Sequence, residues 1–421
     1  MSFILLLLYI SAIYIRPQEW VSAIYGWPLI NILAILTAIC VFFEAGMKQR
    51  LRLKEPHMVL LLAFLGAIAM SHLSHAYFGG AWESVLKFSA NVIMFFLFIN
   101  VLDSEKKIKI AIWFLILLTL ILAAQGIYQW HNGIGWAGQP ILQCSDEGRD
   151  IIRRITWVGI FEDPNDLALA LVVAAGFLVS FIFSKANILL KIISAIALAV
   201  LMQALYYTNS RGGYLAMAAT VGFFFLLRMK NKILASVIGG ILAFAVIIVG
   251  PARMSQITAA ESSAFGRIDA WFEGFQMLKS APMFGVGYGM FTDYHSLTAH
   301  NSYILVAAEE GLVGFFIWIA IIYVCFKGLF KSADKKNELS SCISGIETGL
   351  FGFLCASYFL SRSYVSLFYI ILALASAAIF TSLKKEEYAV NFKDMRLVGA
   401  LTMGILAITW LSTRVSLRLF G

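Results

Sequence analysis

Hydrophobic residues along this chain neither alternate with polar ones nor recur at a heptad period. They form long runs separated by polar breaks, at about 2–15, 27–46, 57–77, 84–102, 108–129, 164–184, 186–207, 210–228, 231–250, 302–326, 341–360, 364–382 and 397–413. A bilayer crossing needs about 20 mostly apolar residues. The pattern therefore predicts an all-α integral membrane protein with about 12 transmembrane helices, or about 13 if the short run at 397–413 also crosses. No stretch shows the strand-length alternation of an outer-membrane barrel. Two breaks are long. They divide the chain into N-terminal helices (1–130), a first loop (131–163), central helices (164–250), a second long loop (251–300) and C-terminal helices (301–421). The first run has no basic stretch before it and no small-residue cleavage site after it, so it reads as a retained span.

Composition agrees. Of 421 residues, 61% are hydrophobic and 13% charged, about half the charge content of an average soluble domain. Mean hydropathy is +0.84. This excludes a soluble enzyme, a secreted disulfide scaffold and a disordered chain. The five cysteines form no framework, and Cys144, alone in a long polar loop, has no partner there.

The net charge of +8 would point to nucleic acid in a soluble protein. Here it reads as topology, with no nucleic-acid partner. One set of alternate loops carries Lys48, Arg50, Arg52 and Lys54, then Lys106, Lys107 and Lys109, then Lys185 and Lys191, then Arg228, Lys230 and Lys232. It ends with Lys327, Lys331, Lys335 and Lys336, and then Lys384, Lys385, Lys393 and Arg396, so that it holds twenty of the 32 basic residues. The positive-inside rule places this set in the cytoplasm. Both long loops and the turns near Arg211 and Arg362 then lie outside. The inside loops are short and hold no glycine-rich phosphate loop. Chemistry is expected on the outer face, where nucleotides are not available and a substrate must arrive already activated in the membrane.

Four outer-face stretches carry the candidate chemistry. In Gly159-Ile-Phe-Glu-Asp-Pro-Asn-Asp-Leu-Ala168, Asp163, Asn165 and Asp166 are candidate ligand groups, while Asp163 before Pro164 equally suits a helix cap. In Tyr207-Thr-Asn-Ser-Arg-Gly-Gly-Tyr214, Arg211 sits at the membrane boundary and needs an anion or water, unless it snorkels at a tight turn. In Phe265-Gly-Arg-Ile-Asp-Ala-Trp-Phe-Glu-Gly274, the helical spacing of Arg267, Trp271 and Phe275 also fits an amphipathic helix lying on the membrane. The Gly285, Gly287 and Gly289 run that follows comes after no strand and is not a dinucleotide fingerprint. In Ala299-His-Asn-Ser-Tyr303, His300 can accept a proton or simply anchor a helix start. Glu309 and Glu310 fall inside the next span, where carboxylates face a polar interior or a partner. His72 and His75 have a spacing that suits a metal, but no carboxylate is close in sequence, and no metal is expected.

Taken together, these stretches resemble the O-antigen ligase and polymerase superfamily. The resemblance rests on Phe-x-Asp-Pro-Asn-x-Leu-Ala at 161–168, Ser-Arg-Gly-Gly at 210–213 and Arg-x-x-x-Trp at 267–271. Gly-x-Gly-x-Gly at 285–289 and His-Asn-x-Tyr with Glu-x-Gly at 300–311 complete it. It is strongest over about 155–320, and the first 130 residues match only in hydropathy. It implies a GT-C-type glycosyltransferase in the bacterial inner membrane with a periplasmic active site. The implied reaction moves a glycan from undecaprenyl diphosphate to a hydroxyl of lipid A–core, inverting configuration, with no cofactor, nucleotide or metal. His300 would be the catalytic histidine and Arg211 and Arg267 the diphosphate-binding arginines, with Asn301, Asp163 and Asn165 in support. The alternatives within the resemblance are an O-antigen polymerase and a protein O-oligosaccharyltransferase using the same donor. The alternative of another class is a transporter or flippase.

Overall fold

The structure, a computed structural model, describes residues 1–48, 51–144, 151–249, 262–335 and 338–420. Arg50 and Lys336 of the basic loops, residues 145–150 of the first long loop and residues 250–261 at the start of the second lie outside the described residues.

Each predicted run is a helix. In chain order they are α1 Ser2–Ile15, α2 Leu29–Lys48, α3 Pro56–Leu73, α4 Phe78–Val101, α5 Glu105–Asn132, α6 Pro164–Ile182, α7 Ile188–Thr208, α8 Arg211–Arg228 and α9 Lys232–Val249. After α10 Ser262–Ser280 and the short α11 Phe291–Tyr294 come α12 Ser302–Asp334, α13 Ser340–Ser357, α14 Ser366–Ser382, the short α15 Lys385–Tyr388 and α16 Phe392–Phe420. Among the described residues seven helices are long and apolar enough to cross a membrane: α3 to α7, α12 and the stretch Lys385–Arg418 containing α16. The chain is a helical multi-pass membrane protein. One local departure from the all-α expectation is a short antiparallel pair, β1 Leu142–Cys144 with β2 Ile152–Arg154. Three residues per strand are too few to leave a period in the sequence.

The chain divides into two compact units. The first comprises Met1–Leu51, Leu97–Gln256 and Ser332–Ala356. Its centre is α6, buried from Leu167 through Phe181, as expected of a helix that is apolar all round. Helices α5, α7 and α8 pack on it. Against α13 the contact is made by glycines: a Cβ on Gly176 would lie 2.6 Å from the Gly349 nitrogen, the small-residue packing that lets membrane helices approach closely. Arg228 closes this unit with an ion pair to the buried Glu347 at 2.8 Å.

The second unit comprises Arg52–Phe96, Ile257–Lys331 and Ser357–Gly421. Helix α14 is buried from Leu367 through Ile379. Helix α16 runs antiparallel to α12. At its start Asp394 accepts from Lys327 Nζ at 2.6 Å and from the Tyr323 hydroxyl at 2.8 Å. Towards its end the Ser412 and Tyr358 hydroxyls meet at 3.0 Å, and the Tyr358 ring lies tilted 6.3 Å from that of Tyr303 at the beginning of α12.

Helix α12 is interrupted at Gly311, whose φ of 65° and ψ of −167° are not helical. The segment 282–287 fills the gap. Val286 and Gly287 donate to the Ala308 and Glu309 carbonyls, both at 3.0 Å, and Leu312 and Val313 donate to the Pro282 and Met283 carbonyls at 2.8 and 3.1 Å. Both glycines at this crossing have left-handed backbone, Gly285 at φ 73° and Gly311 at φ 65°. A Cβ on Gly311 would lie 2.5 Å from the Gly285 nitrogen. We predict that Gly311→Ala or Gly285→Ala destabilises the protein by about 3 kcal/mol, from left-handed strain plus overpacking. Gly66→Ala, where a Cβ meets nothing within 4 Å, is the neutral control. Thermal melting in detergent reads the difference, and equal melting temperatures for the three variants would contradict it.

Candidate active site

The predicted site residues fall into two groups, one in each unit. The second unit holds His300, Asn301 and Arg267. Asn301 caps α12, its side-chain oxygen accepting from the Tyr303 and Ile304 N–H groups at 3.0 and 3.2 Å, as expected of Asn at a helix start. His300 comes immediately before it in left-handed backbone, φ 47°. That conformation costs an ordinary L-residue about 1 kcal/mol or more and persists where the surroundings over-determine it. They do so here. Thr298 bonds Ser361 at 3.0 Å. The Ser302 hydroxyl donates to the Leu360 carbonyl at 2.6 Å and accepts from the Arg362 N–H at 2.8 Å. Ser363 donates to the Ser302 carbonyl at 3.1 Å. The half-buried His300 is thus clamped on both sides by the turn at 360–363.

Arg267 lies near the start of α10, the helix that the spacing predicts, and Trp271 and Phe275 are partly buried against a protein core. Ala270 and Met277 are buried in one core with Val286, Phe291, Ala299, Ile304, Leu305 and Ala308. The helix approaches α12 through Gly274, where a Cβ would lie 2.5 Å from Ile304 Cγ2. The loop that leads to His300 is held on the first turns of α10. His295 Nε2 meets Asp269 Oδ2 at 3.2 Å, and Leu297 lies over Gly266. The same unit thus fixes Arg267 and His300 on elements that share a core.

The acidic pair inside α12 sits at the helix break. Glu309 and Glu310 are 2% and 0% exposed. Glu309 Oε1 accepts from the Phe291 N–H at 3.2 Å. Its other oxygen, both Glu310 oxygens and the Tyr364 hydroxyl are buried at the same break. The Gly285–Gly289 run is thus a structural element, the segment that plugs the break. His72 is also engaged structurally, its Nε2 lying 3.2 Å from the Tyr288 carbonyl and 2.9 Å from the Ser84 hydroxyl. His75 Nδ1 meets the Ser71 carbonyl at 3.0 Å.

The first unit holds Asp163, Asn165 and Arg211. Asp163 caps α6, accepting from the Asn165 N–H at 2.8 Å ahead of Pro164. Asn165 Oδ1 accepts from Arg154 Nη2 at 3.0 Å and from the Ser210 hydroxyl at 2.7 Å. Ser210 in turn caps α8 by accepting from the Gly213 N–H at 3.1 Å. Arg211, half-buried, is the first residue of α8. The turn before it is tied to β2, with Ile155 N–H donating to Tyr207 at 3.1 Å and Asn209 Nδ2 donating to the Arg153 carbonyl at 2.8 Å. Asn165 is therefore the joint between two helix starts and a strand.

Three features escaped the sequence reading. Arg154, 8% exposed, also donates to the Thr208 carbonyl at 2.9 Å; in sequence it is one more basic loop residue. Arg362 braces the entrance of α12 through its main chain. The Asp269–His295 pair links residues 26 apart, with no motif to announce it. Burial draws the His295 imidazole down, but the Leu297 carbonyl, the Asp269 carboxylate and Glu273 together raise it above the ordinary value of 6.5. A raised folded-state value means that the pair's contribution to loop stability is complete below 6.5 and is lost as pH rises through the elevated value. We predict an NMR titration midpoint for His295 above 6.5 that falls in Asp269→Asn. An unchanged midpoint in the variant would remove Asp269 as a cause.

Comparison with known proteins adds one finding. No curated protein matches the chain. Residues 196–319 match the family model described as O-antigen ligase. That segment holds Arg211, Arg267, His300, Asn301 and the break at Gly311, and leaves out Asp163 and Asn165. The match makes this segment similar to the O-antigen ligase family and does not separate ligase from polymerase.

Proposed function

We propose that this protein is an O-antigen ligase of the bacterial inner membrane, transferring a glycan from undecaprenyl diphosphate to a sugar hydroxyl of lipid A–core at the periplasmic face. The observation that carries the reading is that one matched segment, 196–319, contains His300 and both candidate arginines, with His300 held in strained backbone at a helix entrance. Basic loops at the opposite helix ends support a periplasmic position for His300.

In the proposed reaction the acceptor oxygen attacks the anomeric carbon in line with the departing diphosphate. The new carbon–oxygen bond forms as the bond to the diphosphate oxygen breaks, which inverts configuration. The electron pair leaves with undecaprenyl diphosphate, and the acceptor's proton passes to the His300 imidazole. Guanidinium groups suit the charge that develops on the leaving diphosphate, because their planar forks match its oxygens. Arg211 and Arg267 are the residues assigned to that task. Asn301 fixes the backbone that presents His300, and Asp163 and Asn165 fix the turn that presents Arg211. The reaction as written uses neither nucleotide nor metal.

His300→Ala is expected to lower transfer by about 10²-fold or more, the usual range for a general base, with the purified protein, lipid-linked glycan and lipid A–core. His295→Ala is expected to stay within about tenfold of wild type. Arg211→Ala and Arg267→Ala are expected to weaken donor binding. Full transfer by His300→Ala would overturn the base assignment. Transfer only to a growing glycan or to a protein acceptor would favour the polymerase or the protein transferase, and transport without transfer would favour the flippase.

The same reading orients α16. Its start is bonded to Lys327, near the basic end of α12 assigned to the cytoplasm, and its last turns lie beside Tyr358 and α10 at the end assigned to the periplasm. We therefore assign α16 as a thirteenth crossing, with the C-terminus exported. A C-terminal tag is expected to be reached by a membrane-impermeant label from the periplasmic side. A tag labelled only after the inner membrane is opened would contradict the thirteenth crossing.

A further inference from the structure

We propose that a cavity between α10 and the last turns of α16 binds the phosphate headgroup of a membrane lipid. The cavity encloses about 310 Å³, the low end of the range for small-molecule sites. Lys279 reaches it from the last turn of α10 and Arg414 from α16, so two cations converge from separate elements. Among the described residues no acidic one lines it, and Gln276 adds a neutral hydrogen-bonding group. The Arg414 guanidinium lies 5.3 Å over the Trp410 ring. Stacking of this kind fixes the plane of the guanidinium and leaves its edge to donate to oxygens. Phe272 and Phe275 supply an apolar wall.

Two observations favour a lipid over free phosphate. Helix α16 carries Ile408, Leu411 and Val415 on one face at 46–65% exposure, and Trp410, which lines the cavity, is 47% exposed, an apolar surface fit for acyl chains in a chain built of membrane helices. Aromatic and basic side chains together at a helix end also mark the headgroup layer of a bilayer. The headgroup phosphate would bridge Lys279 and Arg414 while its chains lie along α16. Neither residue is among those assigned to the donor diphosphate, and the proposal holds whichever glycan acceptor the protein uses.

The test uses the full-length protein, delipidated in detergent and titrated with phosphatidylglycerol, with bound lipid counted by native mass spectrometry. Saturable binding is expected, and Lys279→Gln with Arg414→Gln is expected to weaken it by at least about tenfold, as for loss of charge-assisted hydrogen bonds. Arg396→Gln, at the opposite end of α16, is expected to leave it unchanged. Should the double variant not fold, Arg414→Gln alone, on an exposed position, carries the comparison. Unchanged affinity in the cavity variants would overturn the proposal, as would equal loss in Arg396→Gln. Displacement of the lipid by equimolar inorganic phosphate would overturn the lipid in favour of a free anion. Transfer activity is not read, so failure here and failure of the ligase reading are distinguishable.

Discussion

A helix that breaks in a low-water environment must find other partners for its freed backbone groups, because each one left bare is costly. Helix α12 breaks at Gly311, and the segment 282–287 supplies two donors and two acceptors across the gap. Much of the second unit follows from that exchange. Gly285 and Gly311 are required where the two backbones cross, since neither the left-handed φ nor the space admits a side chain. Once the segment is seated, Val286 and Phe291 are drawn into the core that buries one face of α10. Arg267 rides on α10 and His300 on the entrance of α12. A candidate phosphate-binding cation and a candidate base are thus placed by a single backbone contact that involves neither of them.

The helices were legible because a membrane helix must be apolar over its whole length, so hydropathy alone marks it. Every run, including the short one at 397–413, became a helix, and α6 and α14 proved buried because they are apolar on all faces. The motifs from Arg211 to His300 lie in the segment that matches the ligase family, and the motif at 161–168 lies outside it. The roles within them were less legible. Gly285, Gly287 and Gly289 read as an unexplained run because the partners of Val286 and Gly287, the Ala308 and Glu309 carbonyls, are main-chain groups that carry no residue signature. Arg154 and the Asp269–His295 pair were missed for a related reason: an interaction between distant loops leaves no period and no spacing. Hydropathy also could not orient the last helix, because the bonds of Asp394 and Ser412 at its two ends are what give its direction.

Several residues singled out for chemistry have a structural duty as well. Asp163 and Asn301 are helix caps, each satisfying N–H groups that a helix start leaves open. The two duties are compatible. A cap holds its own backbone still, and the residue beside it inherits that precision. Asn301 does this for His300, and Ser210, bonded to Asn165, does it for Arg211. Loss of activity in a cap variant would therefore report positioning, whereas loss in His300 or Arg211 with melting behaviour unchanged would report chemistry.

The second unit holds His57, His72, His75, His295 and His300, and three of these lie on or against the segment that leads from α10 into α12. His72 is 3% exposed and shares its Nε2 between the Tyr288 carbonyl and the Ser84 hydroxyl, so it serves as a strut between α3 and the loop that fills the break. His295 is engaged at both ring nitrogens, by Leu297 at 2.9 Å and by Asp269 at 3.2 Å. The carboxylate beside it favours the protonated form, in which the ring has no lone pair to offer an incoming hydroxyl. A base has to meet its substrate with an unprotonated nitrogen. Both ring nitrogens of His295 are instead committed to holding its own loop on α10. His300, the base assigned in the proposed reaction, enters α12 half-buried, two residues from the Thr298–Ser361 bond that anchors its loop.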